Sequence, residues 1–226
     1  MDSDLQRRPR RRRHRLRRLA ALLALAAAFA LARPWIGLWA RAEYNRARFG
    51  VGTLRSQTDR DGDGLDDWSD LMLAARRYVG THPVYDAEYY DGYPPEGHGV
   101  CADVIWQALK GAGYDFKTLL DADIAAHPNL YPLPIDAPDP NIDFRRVVNL
   151  QVFFERRCQK LTNDAAQIAE WQPGDIVFYE GHVAVVSDRR NAEGRPWVIH
   201  HTGRGAFEED ALDYKPITGH YRWTIE

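Results

Sequence analysis

The sequence predicts an α+β domain, helices first and an antiparallel sheet afterwards, behind one N-terminal apolar segment. Three observations carry this. Apolar residues fall at helical spacing at Val104, Ile105, Ala108 and Leu109, and Val147, Val148, Phe153 and Phe154 mark a second amphipathic helix. From Trp171 the pattern changes to short β-rich runs bounded by turn residues, at 176–179, 182–186, 197–200 and 217–223. A basic run followed by an apolar one heads the chain. With 226 residues, 45% of them hydrophobic, there is material for one globular core.

Residues 1–18 hold nine Arg against Asp2 and Asp4, so a head of +7 sits on a body of −9 within a net charge of −2. A basic head on an acidic body argues against nucleic acid as a partner of the body. The apolar run that follows has the form of an export signal. Over 19–40 it is close to the roughly 20 residues needed to span a bilayer. This favours an uncleaved signal-anchor, with Trp35 and Trp39 at the outer interface and the Arg cluster in the cytoplasm. The alternative is cleavage after Ala32, at Ala30-Leu31-Ala32, which would release the protein. Either way, the body from about Gly50 lies outside the cytoplasm, with 41–58 expected as a juxtamembrane stalk.

Residues 59–70 match the spacing of a twelve-residue calcium loop. Asp59, Asp61 and Asp63 take positions 1, 3 and 5, and Gly64 takes the turn at 6. Leu65 offers its carbonyl at 7, Asp67 falls at 9 and Asp70 closes the loop at 12. A hard cation wants several oxygens converging from one tight loop, and the short Asp70 implies weak affinity suited to extracellular calcium. No helix is evident before the loop, so it reads as a dockerin-like half-motif, followed by a helix over 71–79 that Gly80 stops. A solvated Asp/Gly turn is the plain alternative.

The main domain is expected over 71–226. Its centre is Gly99-Val100-Cys101-Ala102-Asp103-Val104, a cysteine at the mouth of an apolar helix directly after a Gly/Pro-rich segment. A thiol there faces unpaired backbone N–H groups and the positive end of the helix dipole, which favours the thiolate. A buried structural Cys is the competing reading. Cys101 and Cys158 permit one disulfide in an oxidising compartment, but nothing in the sequence places them together, and Cys158 reads as an apolar filler. Residues 114–131 read as short helices and loops, and 144–158 as the second amphipathic helix. Arg145 and Arg146 open that helix, either as ordinary surface charges or as a pair for a substrate carboxylate.

A nucleophilic cysteine needs a base and a group that orients the base. His182 opens one predicted strand and shares its face with Ala184 and Val186. His200 ends the next strand, so adjacent antiparallel strands can bring the two together. His201 points to the opposite face, and His98 is an alternative base from the loop before Cys101.

These residues carry a resemblance. The segment Gly99 to Val104, the run Trp171-Gln-Pro-Gly-Asp-Ile-Val-Phe-Tyr with Gly181-His182-Val-Ala-Val-Val, and Val198-Ile199-His200 are similar to the NlpC-type cell-wall peptidases of the papain-like cysteine peptidase superfamily. More closely, the chain over 70–223 resembles an uncharacterised bacterial domain-of-unknown-function family, number twelve eighty-seven. The further matching segments are Pro140-Asn-Ile-Asp-Phe-Arg-Arg-Val147 and Ile217-Thr-Gly-His-Tyr-Arg222. The resemblance implies a papain-like domain with Cys101 as nucleophile, His182 as general base and acid, and His200 as orienter. It also implies an oxyanion site of backbone N–H groups at the helix start, with an upstream Tyr: Tyr85, or else Tyr89 or Tyr90. Asp103 stands where the NlpC-type motif differs, and is expected to cap helix N–H groups.

The function expected is therefore that of an extracytoplasmic cysteine amidase or endopeptidase acting on cell-wall peptides. It would be tethered to the membrane, with structural calcium and no organic cofactor. The rivals are a non-catalytic wall- or peptide-binding module, a thiol acyltransferase, and a calcium-regulated anchor with a structural Cys.

Overall fold

The computed structural model describes residues 21–23, 35–133 and 137–225. It divides into two units, Met1–Arg41 and Ala42–Glu226. In the first, residues 21–23 and 35–41 are helical, and among the described residues no helix is long and apolar enough to cross a membrane. The expected basic segment at 1–18, most of the signal-anchor over 19–40 and the cleavage point at Ala32 lie outside the described residues.

The second unit opens with the end of helix α1 (residues 35–49), which stops at Gly50 with φ 70°. The stretch expected as a stalk is built into the domain from this point. Asn45 and Val51 are buried, Asn45 Nδ2 donates to the Asp188 carbonyl at 2.9 Å, and the Leu54 N–H donates to Gln172 Oε1 at 2.9 Å. These bonds satisfy polar groups that a free stalk would leave to water.

Helix α2 (Asp67–Gly80) starts four residues earlier than its apolar pattern suggests, because the Asp66 carboxylate caps it by accepting the Ser69 N–H. Two short strands, β1 (Val84–Tyr85) and β2 (His98–Gly99), pair in parallel and set Tyr85 beside Gly99. Helix α3 (Cys101–Gly111) follows, starting at the cysteine as expected. Its contact with α2 is close: a Cβ on Gly111 would come within 2.2 Å of the Ala74 Cβ. Helix α4 (Phe116–Ala126) comes next. The single helix expected over 144–158 is instead a 3-10 turn (Asp143–Arg145) followed by α5 (Val147–Arg157). That break moves the core face to Asn149, Leu150, Phe153 and Phe154, and leaves Val148 53% exposed where a core position was expected.

The sheet holds β3 (Gln159–Lys160), β4 (Ile176–Tyr179), β5 (His182–Arg190), β6 (Pro196–Thr202), β7 (Gly205–Glu209) and β8 (Ile217–Arg222). Their order is β3-β8-β4-β5-β6-β7, every neighbour antiparallel. Helices α2 and α3 pack against β5 and β6. Phe153 and Phe154 of α5 pack on Phe178, Tyr221 and Trp223 at ring separations from 5.5 to 6.3 Å. Alternation along the strands sends Val177, Tyr179, Ala184, Val186 and Val198 into a second cluster with Trp171 and Leu212.

The Pro-Gly-Asp turn before β4 is locked to β8. Asp175 accepts from Arg222 at 2.7 and 2.8 Å and lies 3.0 Å from His220 Nε2, while Trp171 stacks on the His220 ring at 3.7 Å. The two segments Trp171–Tyr179 and Ile217–Arg222 are thus one structural lock. Gly111 gives the first prediction: Gly111→Ala forces α2 and α3 apart and costs about 1–3 kcal/mol, measured as a lowered urea midpoint. An unchanged midpoint would show that the helix pair yields without cost.

Candidate active site

Cys101 lies at the first turn of α3 and is 6% exposed. Val100 before it is extended and cannot continue a helix backwards. Burial pushes the thiol above its ordinary range, while the backbone N–H groups of Val183, Ala102 and Cys101 itself favour its anion. Val183 directly follows His182, so the helix start and the opening of β5 meet at the thiol.

His182 and His200 come together as the strand register requires. His182 Nε2 lies 3.0 Å from His200 Nδ1, and His200 Nε2 lies 2.9 Å from Glu209 Oε1. Arg204 Nη2 donates to the same Glu209 oxygen at 3.2 Å. Burial, followed by the charges of His200, Lys215 and His201, pushes His182 down to about 3, and burial also lowers His200. His182 therefore holds its lone pair at neutral pH. With Nε2 engaged by His200, the other ring nitrogen is the one that can take a proton. Tyr214 leans over both imidazoles, its ring 5.6 Å from His182 and 5.9 Å from His200.

His201 turns to the other face, as expected, packing edge-on against Tyr85 at 5.3 Å and Tyr78 at 6.5 Å. His98 is bound to Asp86 at 2.8 Å, which ties the alternative base to its own loop. Among the three tyrosines, Tyr85 is the one that senses the charge of Cys101. The Tyr89 hydroxyl is spent on Asp139 at 3.2 Å and that of Tyr90 on Asp86 at 2.6 Å.

Asp103 caps as expected: its buried carboxylate accepts the Val100 N–H at 2.6 Å and the Trp106 indole at 2.7 Å. It also takes Arg145, which corrects the reading of Arg145 as a substrate ligand. The Arg145 side chain is 2% exposed. Its Nε and Nη2 bind Asp103 at 3.0 to 3.2 Å, and its remaining donors reach the Glu88 and Asp86 carbonyls at 2.7 and 2.8 Å. A guanidinium with its donors spent inside cannot bind a ligand. Arg146 is no partner to it: the residue stands at the N-cap position of α5 without a capping side-chain bond, and its Nε lies 3.9 Å from Asp143. Cys101 and Cys158 are both free, so the possible disulfide is absent, and burial pushes the Cys158 thiol up to about 12.

In the 59–70 loop, oxygens of Asp59, Asp61 and Asp63 lie within 4.8 Å of one another, all three residues exposed. Asp67 does not join them. Its carboxylate is buried and accepts from the Thr58 hydroxyl, the Arg60 N–H at 2.8 Å and the Tyr114 hydroxyl at 2.6 Å. The Leu65 side chain is buried, and Asp70 is 2% exposed with Oδ2 unpartnered.

Glu209 and Tyr214 escaped the sequence reading. Gly205–Glu209 carries two acidic residues and little apolar alternation, so only its pairing with β6 identifies it as a strand. Tyr214 sits on a loop, where nothing in the spacing links it to the histidines.

A family model described as a domain of unknown function (DUF1287) matches residues 72–223. The uncharacterized protein YijF of Escherichia coli (strain K12) is similar, 37% identical over 164 residues that cover 67% of this chain and 80% of that protein. No solved structure matches. Cys101, His182, His200 and Glu209 all fall inside the matched residues, whereas the loop at 59–70 precedes them.

Two predictions follow from this geometry. Asp103→Ala strands the Arg145 charge and costs about 3–5 kcal/mol in chemical denaturation; a loss below about 1 kcal/mol would mean that Arg145 relaxes to water. The second concerns pH. His182 is lowered in the folded state, so its share of stability is present above about pH 6.5 and lost as pH falls through that value toward 3. Asp70 acts oppositely, because burial and the charges of Asp63 and Asp61 push it up to about 7. The comparison is therefore between variants: His182→Gln removes a proton uptake on unfolding that grows from about 0.1 at pH 7.5 to about 0.9 at pH 5.5. Equal pH slopes for the two proteins would contradict a neutral buried His182.

Proposed function

This chain belongs to the DUF1287 family, and we propose that it is an extracytoplasmic cysteine hydrolase that cleaves amide bonds in cell-wall peptides. The observation that carries the reading is the chain His182–His200–Glu209, ending at the strand start whose next N–H meets the Cys101 thiol. A nucleophile, a base and an orienting group in series are the parts that acyl transfer through a thiol requires. The order of the elements, a cysteine helix followed by a histidine sheet, supports a papain-like, NlpC-like domain. The basic and apolar N-terminal pattern supports a single membrane anchor, or a cleaved signal, with the domain outside the cytoplasm.

In the proposed reaction the Cys101 sulfur attacks the amide carbonyl as the free nitrogen of His182 takes the thiol proton. The tetrahedral oxyanion is held by backbone N–H groups at the start of α3, that of Cys101 included, with Tyr85 beside them. Collapse breaks the C–N bond, and His182 delivers its proton to the leaving amine. Water then attacks the thioester, giving its proton to His182 and a carboxylic acid to solution. The proton returns to the Cys101 thiolate. His200 holds the His182 ring and spreads its transient charge toward Glu209. Because burial disfavours both the thiolate and the imidazolium, the resting pair is neutral, and charge develops only as the proton moves.

The test is incubation of the purified full-length chain with peptidoglycan fragments, read by mass spectrometry. Cys101→Ala and His182→Ala lose turnover by about a thousandfold or more, and Glu209→Gln by about tenfold to a hundredfold. No product from the native protein, together with wall binding that survives Cys101→Ala, would replace the enzyme with a binding module. Products joined to an added amine instead of to water would identify an acyltransferase.

A further inference from the structure

We propose that the 59–70 loop is a calcium site whose side-chain ligands are Asp59, Asp61, Asp63 and Asp70, and that Asp67 is the post that holds the loop and not a ligand. The site lies outside the residues that define the family and outside the proposed cysteine chemistry.

Two independent observations support it. The first is convergence: three exposed carboxylates place oxygens within 4.8 Å of one another. Like charges so gathered repel, at roughly 1 kcal/mol per pair at 4 Å even in bulk water. The loop keeps them there through its own backbone. Asp59 accepts the Gly62 and Gly64 N–H groups at 2.9 Å, Asp61 accepts the Asp63 N–H at 3.1 Å, and Asp63 accepts the Leu65 N–H at 2.8 Å.

The second observation is Asp70. It sits in the first turn of α2, 2% exposed, and its Oδ2 has no hydrogen-bond partner. It closes the twelve-residue loop and lies within electrostatic reach of Asp63 and Asp61. A buried acceptor left without a donor costs free energy that a cation would recover. The donor set is oxygen only, with the Leu65 carbonyl available from the same turn, which selects a hard cation that tolerates irregular coordination. Calcium meets that description better than magnesium, which demands near-ideal octahedral geometry.

Asp67 is excluded by its bonds to Thr58, Arg60 and Tyr114, which join the entry of the loop to the domain. The consequence of binding is mechanical. The loop touches the C-terminal end of α3, where a Cβ on Gly113 would lie 3.2 Å from the Asp61 Cβ, and its last carboxylate stands on α2. A cation here clamps the two helices whose packing sets the position of Cys101, without touching the thiol.

The purified full-length chain is titrated with terbium, using Trp68 within the loop as sensitiser, and calcium then competes the signal away. Expected are a calcium Kd on the order of 10⁻⁴–10⁻³ M and at least tenfold weaker binding in Asp63→Asn and Asp70→Asn. About 10 mM calcium raises Tm by several degrees, and magnesium at the same concentration does not. Asp67→Asn lowers Tm yet keeps the calcium-induced rise. If that variant fails to fold, Thr58→Val makes the same comparison. Absence of terbium emission and of any calcium-induced rise in Tm overturns the proposal. So does an equal rise with magnesium, or wild-type calcium affinity in Asp63→Asn and Asp70→Asn.

Discussion

The buried pair of Asp103 and Arg145 is the constraint on which the candidate site depends. Asp103 belongs to the cysteine helix and takes the N–H of Val100, so it defines the turn at which Cys101 enters. Arg145 comes from a 3-10 turn far along the chain and passes through to the carbonyls of Asp86 and Glu88. One guanidinium thus joins the helix start, the tyrosine loop and the entry to α5. Such a pair stabilises little in net terms, because desolvating two charges offsets most of their attraction. Its value is geometric: the same guanidinium that satisfies Asp103 holds the Asp86 and Glu88 carbonyls, which ties the loop after Tyr85 to the start of the cysteine helix.

The sheet adds the imidazoles through register. His182 and His200 sit on neighbouring antiparallel strands, and side chains two residues apart share a face, so residues 18 positions apart in sequence come within 3.0 Å. The arrangement needs β4, β5 and β6 to be fixed relative to one another. The lock of Asp175 with His220 and Arg222 holds β4 against β8, at the end of the sheet away from β7. Parts of the chain that look like unrelated motifs therefore serve one purpose, the spacing of two rings.

Much of this was legible in the residues. Cys101 as a helix start followed from the glycines and prolines before it, and the pairing of His182 with His200 followed from period-2 alternation. What was not legible depended on where charges went once buried. Arg145 looks like any helix arginine until Asp103 is seen beside it, and Asp67 fits a ligand position by spacing while its oxygens are spent on Thr58, Arg60 and Tyr114. Val148 misled for a related reason, since a 3-10 turn reset the phase of the helix that follows. Glu209 lies on a strand too polar to announce itself, and only pairing with β6 identifies it. Spacing reports which residues can meet; the competition among buried polar groups decides which do.

The hydrogen-bonded line from His182 through His200 reaches Glu209, whose side chain is 34% exposed and borders Arg204 at the surface. The buried rings are thus wired to bulk water. Protons can exchange between the buried rings and the solvent along that line without passing Cys101. The Arg204 charge acts on His200 from the surface end of that line.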